Sequence, residues 1–160
     1  MSGASDAVVE ARISFAVRRL LERGVSCFCF GGAAGFDTLA AECVLRMRDE
    51  DHAAVRAVLV VPYDGYHEAR DRSSEDRKRY LDLLPRFDAV VSTRPSPSRG
   101  MFWERDRDLV DRSAFCIAYL KRQDSGTGYT VRYAEKCGLV VINVADERYP
   151  GLFGLDGSAQ

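Results

Sequence analysis

Several kinds of chemistry are missing from this chain before any motif is read. It has only two histidines, His52 and His67, and none of its five cysteines forms a Cys-x-x-Cys pair. Structural zinc wants paired ligands about two to four residues apart, so no metal or cofactor is expected. No Ser/His/Asp or Cys/His triad can be proposed. No apolar run approaches the roughly 18 residues that a membrane helix needs. The N-terminus lacks the basic-then-apolar pattern of a secretory signal, so a cytoplasmic protein with no membrane partner is expected. The net charge of −1 supplies no overall field that would recruit nucleic acid, which is therefore not the expected partner. Cys27, Cys29, Cys43, Cys116 and Cys137 are expected as buried, reduced thiols, because free cysteine packs as a small hydrophobe. Trp103, the single tryptophan, is expected in the core or at an interface.

What is present reads as one domain. At 160 residues the chain is long enough to bury a core, with the domain expected over 1–148 and a loose tail over 149–160. Val9, Ile13, Ala16, Val17 and Leu20 recur at helical spacing and Gly24 follows as a stop. Val25–Phe30 is a continuous apolar run, as in a strand buried on both faces. Leu39, Ala40, Cys43, Val44 and Met47 mark a second helix, and Ala57–Val61 a strand closed by Pro62. Tyr80, Leu81 and Leu84 give a late helical pattern. Asp88–Ser92 reads as a strand, Trp103–Ser113 as a helix and Phe115–Leu120 as a strand. Thr127–Lys136 and Leu139–Val144 supply the last helix and strand. Alternation of short apolar strands with amphipathic helices specifies an α/β fold, a parallel sheet with helices on both faces.

Two glycine loops would lie on one edge of that sheet, where ligands bind in such folds. The first is Gly31-Gly-Ala-Ala-Gly35, at a strand-to-helix junction. Glycines allow consecutive N–H groups to face one point, and the following helix adds its positive dipole end, a combination suited to phosphate. It is neither G-x-G-x-x-G nor a P-loop. A tight turn with close strand–helix packing is the competing reading. The second loop is Ser125-Gly-Thr-Gly-Tyr-Thr130, with hydroxyls at Ser125, Thr127 and Thr130. It suits phosphate or ribose oxygens, or else it is an ordinary helix cap. A nucleotide, with two polar ends, would bridge the loops. The candidate ligand-binding residues are therefore Gly31, Gly32, Ala33, Gly35, Asp37, Arg105, Ser125, Gly126, Thr127 and Thr130. Asp37 either complements the helix dipole, accepts a ribose hydroxyl or clamps its loop. His67 follows another strand end and reads as a surface histidine.

These motifs in this order resemble the YpsA-like branch of the SLOG superfamily, which also holds the lonely-guy phosphoribohydrolases and DNA-processing protein A. The stretches that carry the resemblance are Phe30-Gly-Gly-Ala-Ala-Gly-Phe-Asp-Thr-Leu-Ala-Ala-Glu42, Val60-Val-Pro-Tyr63, Arg105-Asp-Arg-Asp-Leu-Val-Asp111 and Gly126-Thr-Gly-Tyr-Thr-Val-Arg-Tyr-Ala134. The resemblance implies a Rossmann-like fold, a nucleotide-derived ligand of the AMP or ADP-ribose class, and a homodimer. Relatives of this kind open with a strand and a Thr-Gly-His-Arg loop. Nothing in Met1–Asp6 matches these, which leaves two readings: the sequence starts too late to include the first central strand, or this is a reduced variant lacking it, completed by a partner chain.

The lonely-guy enzymes cleave a base from ribose 5′-phosphate with an arginine and the glutamate of Pro-Gly-Gly-x-Gly-Thr-x-x-Glu. Arg105 resembles that arginine, but the glutamate position falls on Thr130. A threonine hydroxyl carries no charge to stabilise an oxocarbenium-like transition state. The favoured reading is a binding protein, a sensor or regulatory module. The alternative is a nucleotide N-glycoside hydrolase using Arg105 with Glu42 or Asp111 as its carboxylate. A third is single-stranded DNA binding by a patch including Arg70, Arg72, Arg77, Lys78, Arg79, Arg86, Arg94 and Arg99.

Overall fold

A computed structural model describes residues 5–51, 54–66 and 72–148. His52, His67, Arg70 and the tail expected over 149–160 lie outside the described residues. The elements alternate as expected: α1 (Asp6–Glu22), β1 (Cys27–Phe30), α2 (Phe36–Glu50), β2 (Arg56–Tyr63), α3 (Ser74–Leu83), β3 (Ala89–Arg94), α4 (Met101–Asp111), β4 (Phe115–Ala118), α5 (Gly126–Lys136) and β5 (Val140–Asn143). The fold is α/β and Rossmann-like, and every strand pairing is parallel. The chain divides into two compact units, one from Cys27 to Leu109 and the other comprising the described residues up to Ser26 and from Val110.

In the Cys27–Leu109 unit the strands run in the order β1-β2-β3. Phe30 pairs with Leu59 at the top of β1, and Tyr63 with Arg94 at the top of β3. Strand β2 is the middle strand, and Ala57, Leu59, Val60 and Val61 are all at most 3% exposed. That is the continuous apolar pattern of a strand covered on both faces. β1 departs from this expectation: Phe28 and Phe30 are buried, but Cys27 is exposed and Cys29 half-buried. Pro62, expected to close β2, instead lies within it. Its register with β1 ends at Leu59, so the missing N–H interrupts no bond to that neighbour. Asp88 fixes the start of β3: its carboxylate accepts from Ala57 N–H at 2.7 Å and its own N–H donates to Ala57 O at 2.9 Å.

In the other unit, α1 begins at Ser5, whose hydroxyl accepts from Val8 N–H, and buries Val9, Ile13, Ala16, Val17 and Leu20. Its stop is Gly24, with φ of 91°, followed by a bond from Val25 N–H back to Leu20 O at 3.0 Å. Strands β4 and β5 pair from Phe115↔Val140 to Ala118↔Asn143. The Asn143 side chain pins their exit by accepting from Leu120 and Ala145 N–H and donating to Leu120 O. Arg12 ties α1 to the same end by donating to Val144 O at 3.0 Å.

Of the five cysteines, all free, only Cys43 is buried; Cys27 and Cys137 are exposed and the other two half-buried. The expectation of five buried thiols is corrected accordingly. Trp103 is 56% exposed and does not belong to the core. It sits at the start of α4, where the core-facing position is taken by Arg105.

Candidate functional site

The first glycine loop leaves β1 and enters α2 through Gly35, whose φ is 88°. Helix starts leave several N–H groups without intrahelical partners, and Ser, Thr, Asp or Asn normally caps one of them. Gly35 has no side chain to do so, and no side-chain cap bond is made at this end. The positive pole of α2 is thus presented on a bare backbone.

Two of the loop's glycines are accounted for by the protein itself. A side chain at Gly31 would begin 3.0 Å from Asp37 Oδ2 and 3.1 Å from the Arg105 guanidinium carbon. One at Gly32, where φ is 76°, would begin 3.1 Å from Leu59 Cδ1 and 3.4 Å from Tyr80 Cε2. Gly32 is therefore a poor position for testing ligand binding. A bulky replacement there strains the backbone and meets the core, so it would disturb the fold as well as the site. Gly35 has nothing within 4 Å of its would-be side chain.

Asp37 and Arg105 organise this loop. Asp37 Oδ2 accepts from Ala33 N–H at 3.1 Å, and Thr38 Oγ1 donates to Ala33 O at 3.3 Å. Both ends of one peptide segment are thereby tied to the first turn of α2. Asp37 clamps its loop, one of the roles considered for it. Burial pushes its carboxyl above the ordinary carboxylate value, against the opposing pull of Arg105 and the Ala33 N–H. Arg105 is 6% exposed; its Nε donates to Asp106 at 2.7 Å and its Nη1 donates to Gly31 O. A buried guanidinium, a half-buried aspartate and an uncapped helix start meet at one loop.

A second arginine at this loop was read from the sequence only as one member of a basic patch. Arg72 Nη2 donates to Gly32 O and to Tyr66 Oη, and its guanidinium lies over the Tyr80 ring at 4.2 Å. In the sequence Arg72 is one basic residue of many. Only the fold reveals that it reaches the peptide next to the one Arg105 holds.

The second glycine loop, in the other unit, is built differently. Ser125 caps α5: its Oγ accepts from Gly128 N–H at 3.0 Å and donates to Arg122 O at 2.6 Å. Thr130 Oγ1 donates to Gly126 O at 3.1 Å. Gly128 is needed for close packing, since a side chain there would begin 2.2 Å from Gln123 O. Gly126 and Thr127 are exposed. Two of this loop's three hydroxyls thus serve the helix start, as the ordinary-cap reading has it.

The carboxylates considered for hydrolysis are engaged elsewhere. Glu42 makes a two-point ion pair with Arg79 at 2.9 and 3.0 Å. Asp111 accepts from Tyr133 Oη at 2.8 Å, and that bond is the first cause of a tyrosine pKa raised to about 12. Several members of the proposed basic patch are likewise paired: Lys78 with Asp82, Arg86 with Asp49 and Arg94 with Glu104. Among the described residues no helix is long and apolar enough to cross a membrane, and no cluster of three metal-ligating side chains occurs.

Comparison with known proteins agrees with the resemblance read from the motifs. The chain is 22% identical over 130 residues to a UPF0398 protein of Bacillus pumilus, covering 79% of this chain and 68% of that one. It is 24% identical over 120 residues to a UPF0398 protein of Halalkalibacterium halodurans, covering 73% of this chain and 62% of the relative. The chain thus spans about two thirds of the length of these relatives. The family model YpsA, described as the YspA SLOG family, matches residues 4–138, a span holding both glycine loops, Asp37 and Arg105, and the chain belongs to that family.

Proposed function

We propose that this protein binds a nucleotide or nucleotide-derived ligand, acting as a sensor or regulatory module, and that the ligand's phosphate sits at the start of α2. The observation that carries the reading is the uncapped N-terminus of α2 at Gly35 beside the buried Arg105. Backbone N–H groups with a helix dipole favour an oxyanion, and a guanidinium recognises phosphate oxygens in pairs. Membership of the SLOG family supports a nucleotide-related role. The clamp on Ala33 holds the loop in shape before ligand arrives, which lowers the ordering cost of binding.

The hydrolase alternative is weaker on this geometry, since Glu42 is held by Arg79 and Asp111 by Tyr133. Nucleic-acid binding is weaker for the same kind of reason: basic residues of α3 and β3 are neutralised by nearby carboxylates. A homodimer and a cytoplasmic location belong to the same proposal, and sedimentation velocity and cell fractionation test them. Calorimetric titration of the intact protein with AMP, ADP and ADP-ribose tests the main reading. Saturable binding that is lost in Arg105→Gln is expected, with no release of free base. Absence of binding by all three overturns it.

A further inference from the structure

Three features converge on Gly32. Arg72 Nη2 is bonded to the Gly32 carbonyl and to Tyr66, while Arg72 Nη1 is buried with no hydrogen-bond partner among the described residues. Tyr80, 3% exposed, also buries its hydroxyl without a partner among the described residues, and that oxygen lies 3.9 Å from where a Gly32 side chain would start. Gly32 itself holds a left-handed φ of 76°.

Unpartnered buried polar groups are uncommon in folded proteins, and each calls for a reason. Packing supplies none for the Tyr80 hydroxyl, because phenylalanine would fill the same ring volume without an orphaned oxygen. Nor does a direct ion pair explain Arg72, although its charge also acts at longer range on the Asp37 carboxyl. Among the described residues its guanidinium meets a carbonyl, a phenol and the faces of Tyr66 and Tyr80, none of them a carboxylate. What the two orphaned atoms share is the ability to donate. A guanidinium N–H and a phenol O–H together suit an oxygen acceptor of negative charge.

We propose that Arg72 and Tyr80 form a second oxyanion-binding point of the site, and that its ligand carries two linked phosphoryl groups. The inference rests on the phosphate reading of the α2 N-terminus. Arg105 holds the carbonyl of Gly31 and Arg72 that of Gly32, so two guanidiniums reach adjacent peptides. Two guanidiniums held by two different peptides suit two linked phosphoryl groups, each with its own donor. In the unliganded arrangement the Gly32 carbonyl occupies Arg72. On binding, the Gly32 peptide turns away, and a phosphoryl oxygen takes its place between Arg72 and Tyr80.

The test uses calorimetry on the intact protein with inorganic phosphate, inorganic pyrophosphate, AMP and ADP as probes. Wild type is expected to bind pyrophosphate and ADP at least tenfold more tightly than phosphate and AMP. Tyr80→Phe is expected to lose most of that preference while keeping or raising its melting temperature. A purely structural hydroxyl would not behave so. Arg72→Gln is expected to lose the preference too. Equal affinity of wild type for the mono- and diphosphate probes overturns the inference, as does a preference undiminished in Tyr80→Phe. Binding that depends on Arg105 but not on Tyr80 or Arg72 overturns it while leaving the phosphate reading intact. Failure of wild type to bind any probe overturns both.

Discussion

Arg105 donates from α4 to the carbonyl oxygen of Gly31, 74 residues earlier in the chain, and is 6% exposed while doing so. A guanidinium so placed is difficult to remove without consequence. Arg105→Gln leaves the Gly31 carbonyl and the Asp37 carboxyl with a weaker partner or none. A stability loss of about 2 kcal/mol is expected, read from urea unfolding midpoints at constant slope. Binding of AMP or ADP is expected to fall by more than the destabilisation explains, when measured well below the melting temperature.

Asp37 gives a prediction in pH. Its folded pKa is raised by burial above the ordinary value of 3.8, so below that value the carboxyl is protonated in folded and unfolded chains alike and carries no penalty. As pH rises the unfolded chain releases this proton first, which favours unfolding, and the penalty is complete once pH has passed the folded pKa. Asp37→Asn keeps an acceptor for Ala33 N–H without the charge. The stability of wild type relative to Asp37→Asn should therefore decline from pH 3 to neutrality. A relative stability that rises with pH contradicts the account of this carboxyl.

The two loop glycines Gly126 and Gly128 should respond in opposite ways to alanine. At Gly128 the new side chain would begin 2.2 Å from the Gln123 carbonyl oxygen, and the backbone must shift to admit it. A loss of at least about 2 kcal/mol is expected. At Gly126 nothing lies within 4 Å, and alanine should change stability by no more than about 0.5 kcal/mol. Thermal or urea unfolding of the two variants, side by side, decides this.

Much of the fold was legible because α/β patterning is local. The periods of α1 and α2, the run of β2 and the stop at Gly24 all follow from neighbours in sequence, and each element lies within a few residues of its expected place. Pro62 misled because its effect depends on whether a neighbouring strand needs the missing N–H, which no local pattern states. The first glycine loop was legible as a place of close approach, but not what approaches. Asp37, Arg105, Leu59 and Tyr80 do, and three of the four come from elsewhere in the chain. Arg72 was not legible as a site residue, since a lone arginine in a polar stretch looks like its neighbours until the chain is folded. Ser125 was readable either as a ligand contact or as a cap, and its bonds to Gly128 and Arg122 are those of a cap.

Glu42 separates the binding reading from the hydrolase. Its pair with Arg79 is two-pointed but about one-third exposed on each side, so solvent discounts it to about 0.5 kcal/mol. Glu42→Gln should lower stability by about that much and leave nucleotide affinity unchanged within twofold. Base release from a nucleoside monophosphate by wild type, abolished in Glu42→Gln, contradicts the assignment of this residue to structure.

The central claim is that an oxyanion binds at the uncapped start of α2. Amide chemical shifts of the intact protein, followed by nuclear magnetic resonance during titration with AMP, test it most directly. The account predicts saturable shifts at Ala34, Gly35 and Phe36, with Gly126 and Thr127 moving little. Shifts confined to Gly126 and Thr127, or none at any of these amides up to millimolar AMP, contradict it.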